Sequence, residues 1–432
     1  VHAFDQLTSE GYLENRIGSG SYVSRVLPEE LLHVASSFGA KSQTPRPQAR
    51  HLSDYARRLT PFPALGPPRA RAFRVNLPAI DLFPVALWAQ VTARCLRRAS
   101  TRLLMGCDTI GYQPLREAIT HYLASARGVR CTASQVIVVS GAQESFDLIA
   151  RLFLTPADQV CMEEPGYFGA RTAFESYGAR IVPTRVDAEG MSIPSVRHAR
   201  LAYVTPGHQF PLGVTMSLPR RLALLEWARV SGALILEDDY DSEYRYSGRP
   251  VPSLQGLDRD GCVLFCGTFS KILFPSLRLG YLVVPPDLVE PIAAAKSVST
   301  RHAPLLDQVV LSDFIAEGHM GRHVRRMREV YSERLAVLIA SAKQDLGGLL
   351  EVSGIEAGLQ TIGWLRQGIG SMAAASAAER HGVEITPVQF FANQPLEREA
   401  VHLGFAAIEV PEIRRGVRQL ASALESESKR VK

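Results

Sequence analysis

Cysteine is scarce, and what there is forms no pattern. Six occur in 432 residues, at Cys95, Cys107, Cys131, Cys161, Cys262 and Cys266. None belongs to a CxxC pair and none has histidines at zinc-finger spacing, which excludes a disulfide scaffold and a zinc ribbon. Cys262 and Cys266 close the apolar run CVLFC, so buried reduced thiols are expected. Long hydrophobic runs are missing too. No stretch approaches the ~20 apolar residues of a membrane helix, and the first residues carry no secretory signal pattern. The expected location is therefore the cytoplasm, with no membrane partner. Excess charge is also lacking, since 48 basic against 43 acidic side chains leave only +5. With 46% hydrophobic and 21% charged residues, disorder and collagen-like repetition are excluded as well.

The small surplus of charge is unevenly placed. Residues 1–35 hold five acidic and two basic side chains, whereas residues 36–74 hold one acidic and eight basic. Charge of this size bears on partners, not on fold. Pro45, Pro47, Pro61, Pro63, Pro67 and Pro68 punctuate the second segment, which reads as a semi-extended tether. Residues 1–35 read as a short helix ending near Gly11, then a tight hairpin around Gly18 and Gly20. The chain starts at Val1, in what reads as the middle of a helix.

From about residue 75 strands and helices alternate. Short apolar runs at 135–139, 160–162, 180–183, 201–204, 233–236, 262–265 and 279–284 read as strands. Helical spacing appears at 142–153, 170–177 and 218–230. The pattern predicts an α/β domain over 75–304, with a mostly parallel sheet covered on both faces. A charge-striped helical region follows over 305–343. Residues 344–432 then take on α+β texture and read as a smaller C-terminal domain.

In an open α/β sheet, ligands sit outside the carboxyl ends of the strands. Strand 135–139 ends in Ser140-Gly141-Ala142-Gln143 and opens into a helix, whose N-terminal N–H groups suit a phosphate. A plain turn capped by Ser140 is the other reading. Strand 233–236 ends in Asp238, Asp239 and Tyr240, and no histidine at ligand spacing accompanies them, so no metal is expected. Strand 262–265 runs into Ser270-Lys271, followed by Arg278. An amine held between apolar strands has a lowered pKa and forms imines, and Arg278 can grip a phosphate. An amine, a carboxylate, a helix N-terminus, an arginine and aromatics make up the set that pyridoxal phosphate (PLP) needs. Tyr167 is the best candidate to cover the ring, or else a core tyrosine. His208 and Gln209 either reach the phenolic oxygen or shape their loop.

These residues fall in an ordered set of motifs: 111–119 (GYQPLREAI), 140–143 (SGAQ), 163–167 (EEPGY), 205–211 (TPGHQFP), 237–243 (EDDYDSE), 267–271 (GTFSK) and 276–281 (SLRLGY). The set resembles the MocR group of GntR-type transcriptional regulators. Their winged-helix DNA-binding domain is tethered to a fold type I aminotransferase-like PLP domain. The resemblance implies that Lys271 carries the internal aldimine and Asp238 holds the ring nitrogen, with Asp239 as the alternative. It implies that Tyr240 bonds the phenolic oxygen, that Tyr167 stacks on the ring, and that Ala142, Gln143, Ser270 and Arg278 surround the phosphate. A head-to-tail homodimer and a small amino-compound effector are implied too. A PLP-dependent aminotransferase acting on an amino acid and a 2-oxo acid is the alternative function.

Residues 1–13 resemble the end of a recognition helix and residues 16–23 the wing. The preceding helices are absent from this chain, so weak or no DNA binding is expected of it as given. Three positions depart from the family pattern. Gly106 or its neighbour stands where a tyrosine reaches the partner's phosphate, and Gly169 where some members have an arginine. His402 stands where aminotransferases place the arginine for the substrate carboxylate. These departures bear on substrate anchoring more than on cofactor binding.

Overall fold

Two units make up the chain in the computed structural model, residues 1–53 and 54–432. The structure describes residues 2–16, 18–24, 50–61, 71–248 and 251–430. Most of the expected tether at 36–74 thus lies outside the described residues. The first unit holds a helix, His2–Ser9, and a hairpin of β1 (Leu13–Arg16) and β2 (Gly20–Val23). The strands pair antiparallel, with Leu13 opposite Val23. Gly18 and Gly20 have φ of +87° and +100°, which only glycine adopts readily, and that closes the turn.

The second unit is built on eight strands: β3 (Val136–Val139), β4 (Gln159–Glu164), β5 (Arg180–Asp187), β6 (Gly190–Met191), β7 (Leu201–Val204), β8 (Leu234–Asp239), β9 (Val263–Thr268) and β10 (Gly280–Val283). Their order is β3-β10-β9-β8-β7-β4-β5-β6. β10 runs antiparallel to β3 and β9, and β6 to β5, while the other pairs are parallel. β3, β7 and β9 are buried along their whole length, as strands covered on both faces must be. The helix Ala142–Phe153 covers one face through Phe146 and Ile149.

Two elements differ from expectation. β8 does not stop before its acidic residues: parallel pairing continues to Asp238 opposite Cys266 and Asp239 opposite Gly267. Ladder hydrogen bonds keep these carboxylates in the sheet despite their poor strand propensity. The helical region at 305–343 is two helices, Leu305–Ala316 and His319–Asp345, broken where Gly318 takes φ +73°.

The C-terminal part carries β11 (Leu350–Val352), β12 (Gln360–Leu365), β13 (Thr386–Pro387) and β14 (Ala400–Gly404), in the antiparallel order β11-β12-β14-β13. The helix Val410–Arg430 buries Ile413, Val417, Leu420 and Leu424, one helical stripe. The last residues of the expected tether belong to this body. Ala72 bridges to Val383 and Phe73 to Gly404, and Phe73 is fully buried. Cys95, Cys161, Cys262 and Cys266 are buried and all six cysteines are free. Among the described residues no helix is long and apolar enough to cross a membrane.

Candidate functional site

Strand alternation sends the consecutive carboxylates of β8 into different surroundings. Asp238 accepts from the Tyr203 hydroxyl at Oδ2, at 2.7 Å, while its Oδ1 is buried with no hydrogen-bond partner. Burial pushes this carboxyl up to about 7. The Tyr203 bond and Lys271 oppose the rise, and Asp239 and Asp241 add to it. Asp239 instead accepts from Arg127 Nε at 2.6 Å and from the Ser242 hydroxyl. Glu237 accepts the backbone N–H groups of Leu254 and Gln255. Of the two aspartates left open above, Asp238 is the one with an unpaired oxygen.

Lys271 lies on the turn after β9, half-buried, and its Nζ donates to the backbone carbonyl of Asn76 at 2.6 Å. Burial lowers the amine to about 8, against the pull of Asp241 and Asp238. An amine so placed is partly neutral near physiological pH, the state a nucleophile requires.

The helix Ala142–Phe153 starts from Gly141, at φ +92°, and no side chain caps it. Its first N–H groups are therefore open to an anion. A Cβ on Gly141 would come within 3.3 Å of the Arg278 guanidinium, so the cradle closes only around glycine. Arg278 is exposed and donates to the Ser140 carbonyl at 2.9 Å; no described carboxylate pairs with it. Ala142 and Gln143 supply the helix start, but the Gln143 side chain is turned to the Gly169 carbonyl, at 2.9 Å. Ser270 stands beside Lys271, its N–H on Thr268 Oγ1.

Tyr167 leads into the helix Phe168–Ser176 and packs edge-on against Phe146 and Phe210. Burial, with Asp238 nearby, raises its hydroxyl well out of the titrating range. Tyr240 donates to the His208 carbonyl at 2.9 Å. His208 Nδ1 meets Asp241 at 3.0 Å and its Nε2 is buried without a partner. Gln209 spends its amide on Glu163, Pro165 and Phe210, and its Oε1 accepts from Leu212. Those are the contacts of a residue that shapes its loop.

The donor set fits PLP on three counts: an unpaired buried carboxylate oxygen, a desolvated amine and an uncapped helix start beside an exposed guanidinium. The family model for aminotransferase class I and II matches residues 75–420. The probable rhizopine catabolism regulatory protein MocR of Rhizobium meliloti is 39% identical over 428 residues, covering 98% of this chain and 85% of that protein. The chain belongs to the MocR family of regulators. A second member, the HTH-type transcriptional regulator TauR of Rhodobacter capsulatus, is 33% identical over 98% of this chain and 87% of its own length. The body is similar to the solved α-aminoadipate aminotransferase LysN of Thermus thermophilus, complexed with N-(5'-phosphopyridoxyl)-L-leucine. That likeness has a TM-score of 0.76 and 27% identity, covering 83% of this chain and 92% of that one. The fold is thus fold type I, and PLP is the cofactor of this MocR-family domain.

Several residues of this MocR-family site escaped sequence reasoning. Tyr203 pairs in β7 with Leu236, two residues before Asp238 and on the same face, so strand parity could have indicated it. Asn76 carries no sequence signal and meets Lys271 only through the fold. Glu144 accepts from the Ser140 N–H and from fully buried Lys296 at 2.7 Å, which ties the Ser140 turn to the helix Pro286–Ser299. Burial pushes Glu144 up, but these bonds bring it below the usual carboxylate range.

Proposed function

We propose that this MocR-family protein holds PLP at Lys271 and uses the site to sense a small amino compound. The observation that carries the reading is the pair formed by the desolvated Lys271 amine and the unpaired Asp238 oxygen. Asp238 would face the ring nitrogen and Tyr167 the ring. Tyr240 and His208 stand on the phenolic side, while Ala142, Gln143, Ser270 and Arg278 surround the phosphate. Bound there, PLP would supply an electron sink for a bond broken at the carbon that bears the amine. Asp238 then keeps the ring nitrogen protonated, and the lowered pKa of Lys271 lets the amine shed its proton. In this reading the N-terminal unit is the remnant of a DNA-binding side, with weak or no binding of its own in the chain as given, and the body pairs as a head-to-tail homodimer.

The protein mixed with PLP is expected to show a visible absorbance band that borohydride removes. Mass spectrometry should then find the reduced adduct on the Lys271 peptide. A band retained in Lys271→Ala overturns the assignment. A change in the melting temperature of the PLP-loaded protein on adding an amine, seen in wild type but not in Lys271→Ala, tests the sensing step. The aminotransferase alternative rests on the same two residues, and multiple turnovers with an amino donor and a 2-oxo acid would decide for it.

A further inference from the structure

Lys296 is fully buried, and the carboxylate it meets among the described residues is that of Glu144. Its Nζ donates to Glu144 Oε1 at 2.7 Å and to the Thr300 hydroxyl at 3.1 Å. That hydroxyl donates in turn to the same Oε1, at 2.7 Å. The other oxygen, Oε2, accepts the Ser140 N–H. Ser140 is thus held at both ends, its N–H by Glu144 and its carbonyl by Arg278.

Joining two helices does not require these charges. The helices Ala142–Phe153 and Pro286–Ser299 already share an apolar cluster that includes Ile149 and Ile292. A buried ion pair also stabilises no better than apolar side chains of similar size. The position of Glu144 gives the pair another consequence. It is the third residue of the helix whose start suits an anion, and an acid in a first turn normally occupies that positive end itself. Glu144 instead accepts from Ser140, Lys296 and Thr300, and from none of the helix's own N–H groups. Against the upward push of burial, the Lys296 and Ser140 bonds keep it ionised. An ionised carboxylate in that turn repels a phosphate by its charge alone, and Lys296 is the cation placed to cancel it.

We propose that Glu144 and Lys296 are positioning residues for the cofactor's phosphate. Glu144 fixes Ser140 at the helix start, and Lys296 neutralises the carboxylate so that a phosphate can settle beside it. The inference rests on the proposed placing of PLP at Lys271, with its phosphate at the start of the helix Ala142–Phe153.

The test compares PLP with pyridoxal, which lacks the phosphate, by absorbance titration of the cofactor-free full chain at pH 8. The readout is the ratio of the two affinities, which a general loss of stability or a change at Lys271 leaves unmoved. Lys296→Met removes the cation and keeps an apolar stem. The preference for PLP should then fall about tenfold, the scale of one uncompensated charge at a partly buried helix end. Glu144→Gln keeps an acceptor for the Ser140 N–H and removes the negative charge, so the preference should rise about threefold. Opposite signs mark an effect of charge, since a purely structural pair would weaken both ligands alike in both variants. A ratio unchanged in either variant, or moved the same way in both, overturns the proposal and leaves the cofactor reading standing. No borohydride-sensitive band with either aldehyde in wild type overturns both. Should Lys296→Met not fold, Glu144→Gln decides alone, and a flat or lowered ratio overturns the proposal.

Discussion

The Tyr203 hydroxyl donates to one oxygen of Asp238, at 2.7 Å, and leaves the other buried oxygen unpaired. One oxygen is thereby fixed in direction and the second is aimed. The bond favours the ionised carboxylate, the form that can pair with a protonated ring nitrogen.

Tyr203→Phe removes that donor with little change in shape. The Asp238 carboxyl should then rise further and be more often neutral at pH 7. PLP affinity is expected to fall about tenfold, the scale of a single buried hydrogen bond to a charged group. Titration of the cofactor-free protein by absorbance checks it, and an unchanged affinity would remove Tyr203 from this role.

Asp238→Asn should act in opposite directions on stability and on binding. A carboxyl raised to about 7 in the folded protein binds an extra proton only when folded. Its contribution to stability is complete below the unfolded value, near 4, and is lost as pH rises through about 7. Above that pH the cofactor-free Asn variant should therefore melt higher than wild type. Its PLP affinity should drop roughly ten- to hundredfold. A variant that melts lower at pH 8 would contradict the burial argument.

Lys271 reacts only as the free amine, so its attachment to PLP should follow its titration. With the amine lowered to about 8, the rate of borohydride-trappable labelling should climb from pH 7 and level off near pH 9. An ordinary lysine would still be climbing at pH 10. Stopped-flow absorbance across this range distinguishes the two.

Arg127 and Asp239 form a buried pair behind the site, at 2.6 Å. Arg127→Ala leaves the carboxylate uncompensated and should destabilise the body by about 3–5 kcal/mol. Urea denaturation measures the loss. The double variant Arg127→Ala with Asp239→Ala should recover part of it, since the Asp239 carboxylate is then gone too.

The alternation of strands and helices, the turn at Ser140-Gly141 and the acidic end of β8 were legible in the sequence. Each depends on neighbours within a few residues: apolar periodicity, a glycine at positive φ, a run of carboxylates. The amine, the carboxylates and the glycine-led helix start could be picked out as candidates for the same reason, since residue type and local punctuation mark them. Which aspartate stays open could not be read. Asp238 and Asp239 are adjacent and chemically alike, and the choice is made by Tyr203, 35 residues away, and by Arg127, 112 residues away. The Asn76 carbonyl lies 195 residues from the amine it holds. Sequence by itself determined the family of chemistry, because that needs only the right groups in the right order. Tertiary structure decided which groups are paired, because desolvation and hydrogen-bond satisfaction depend on what packs against each atom.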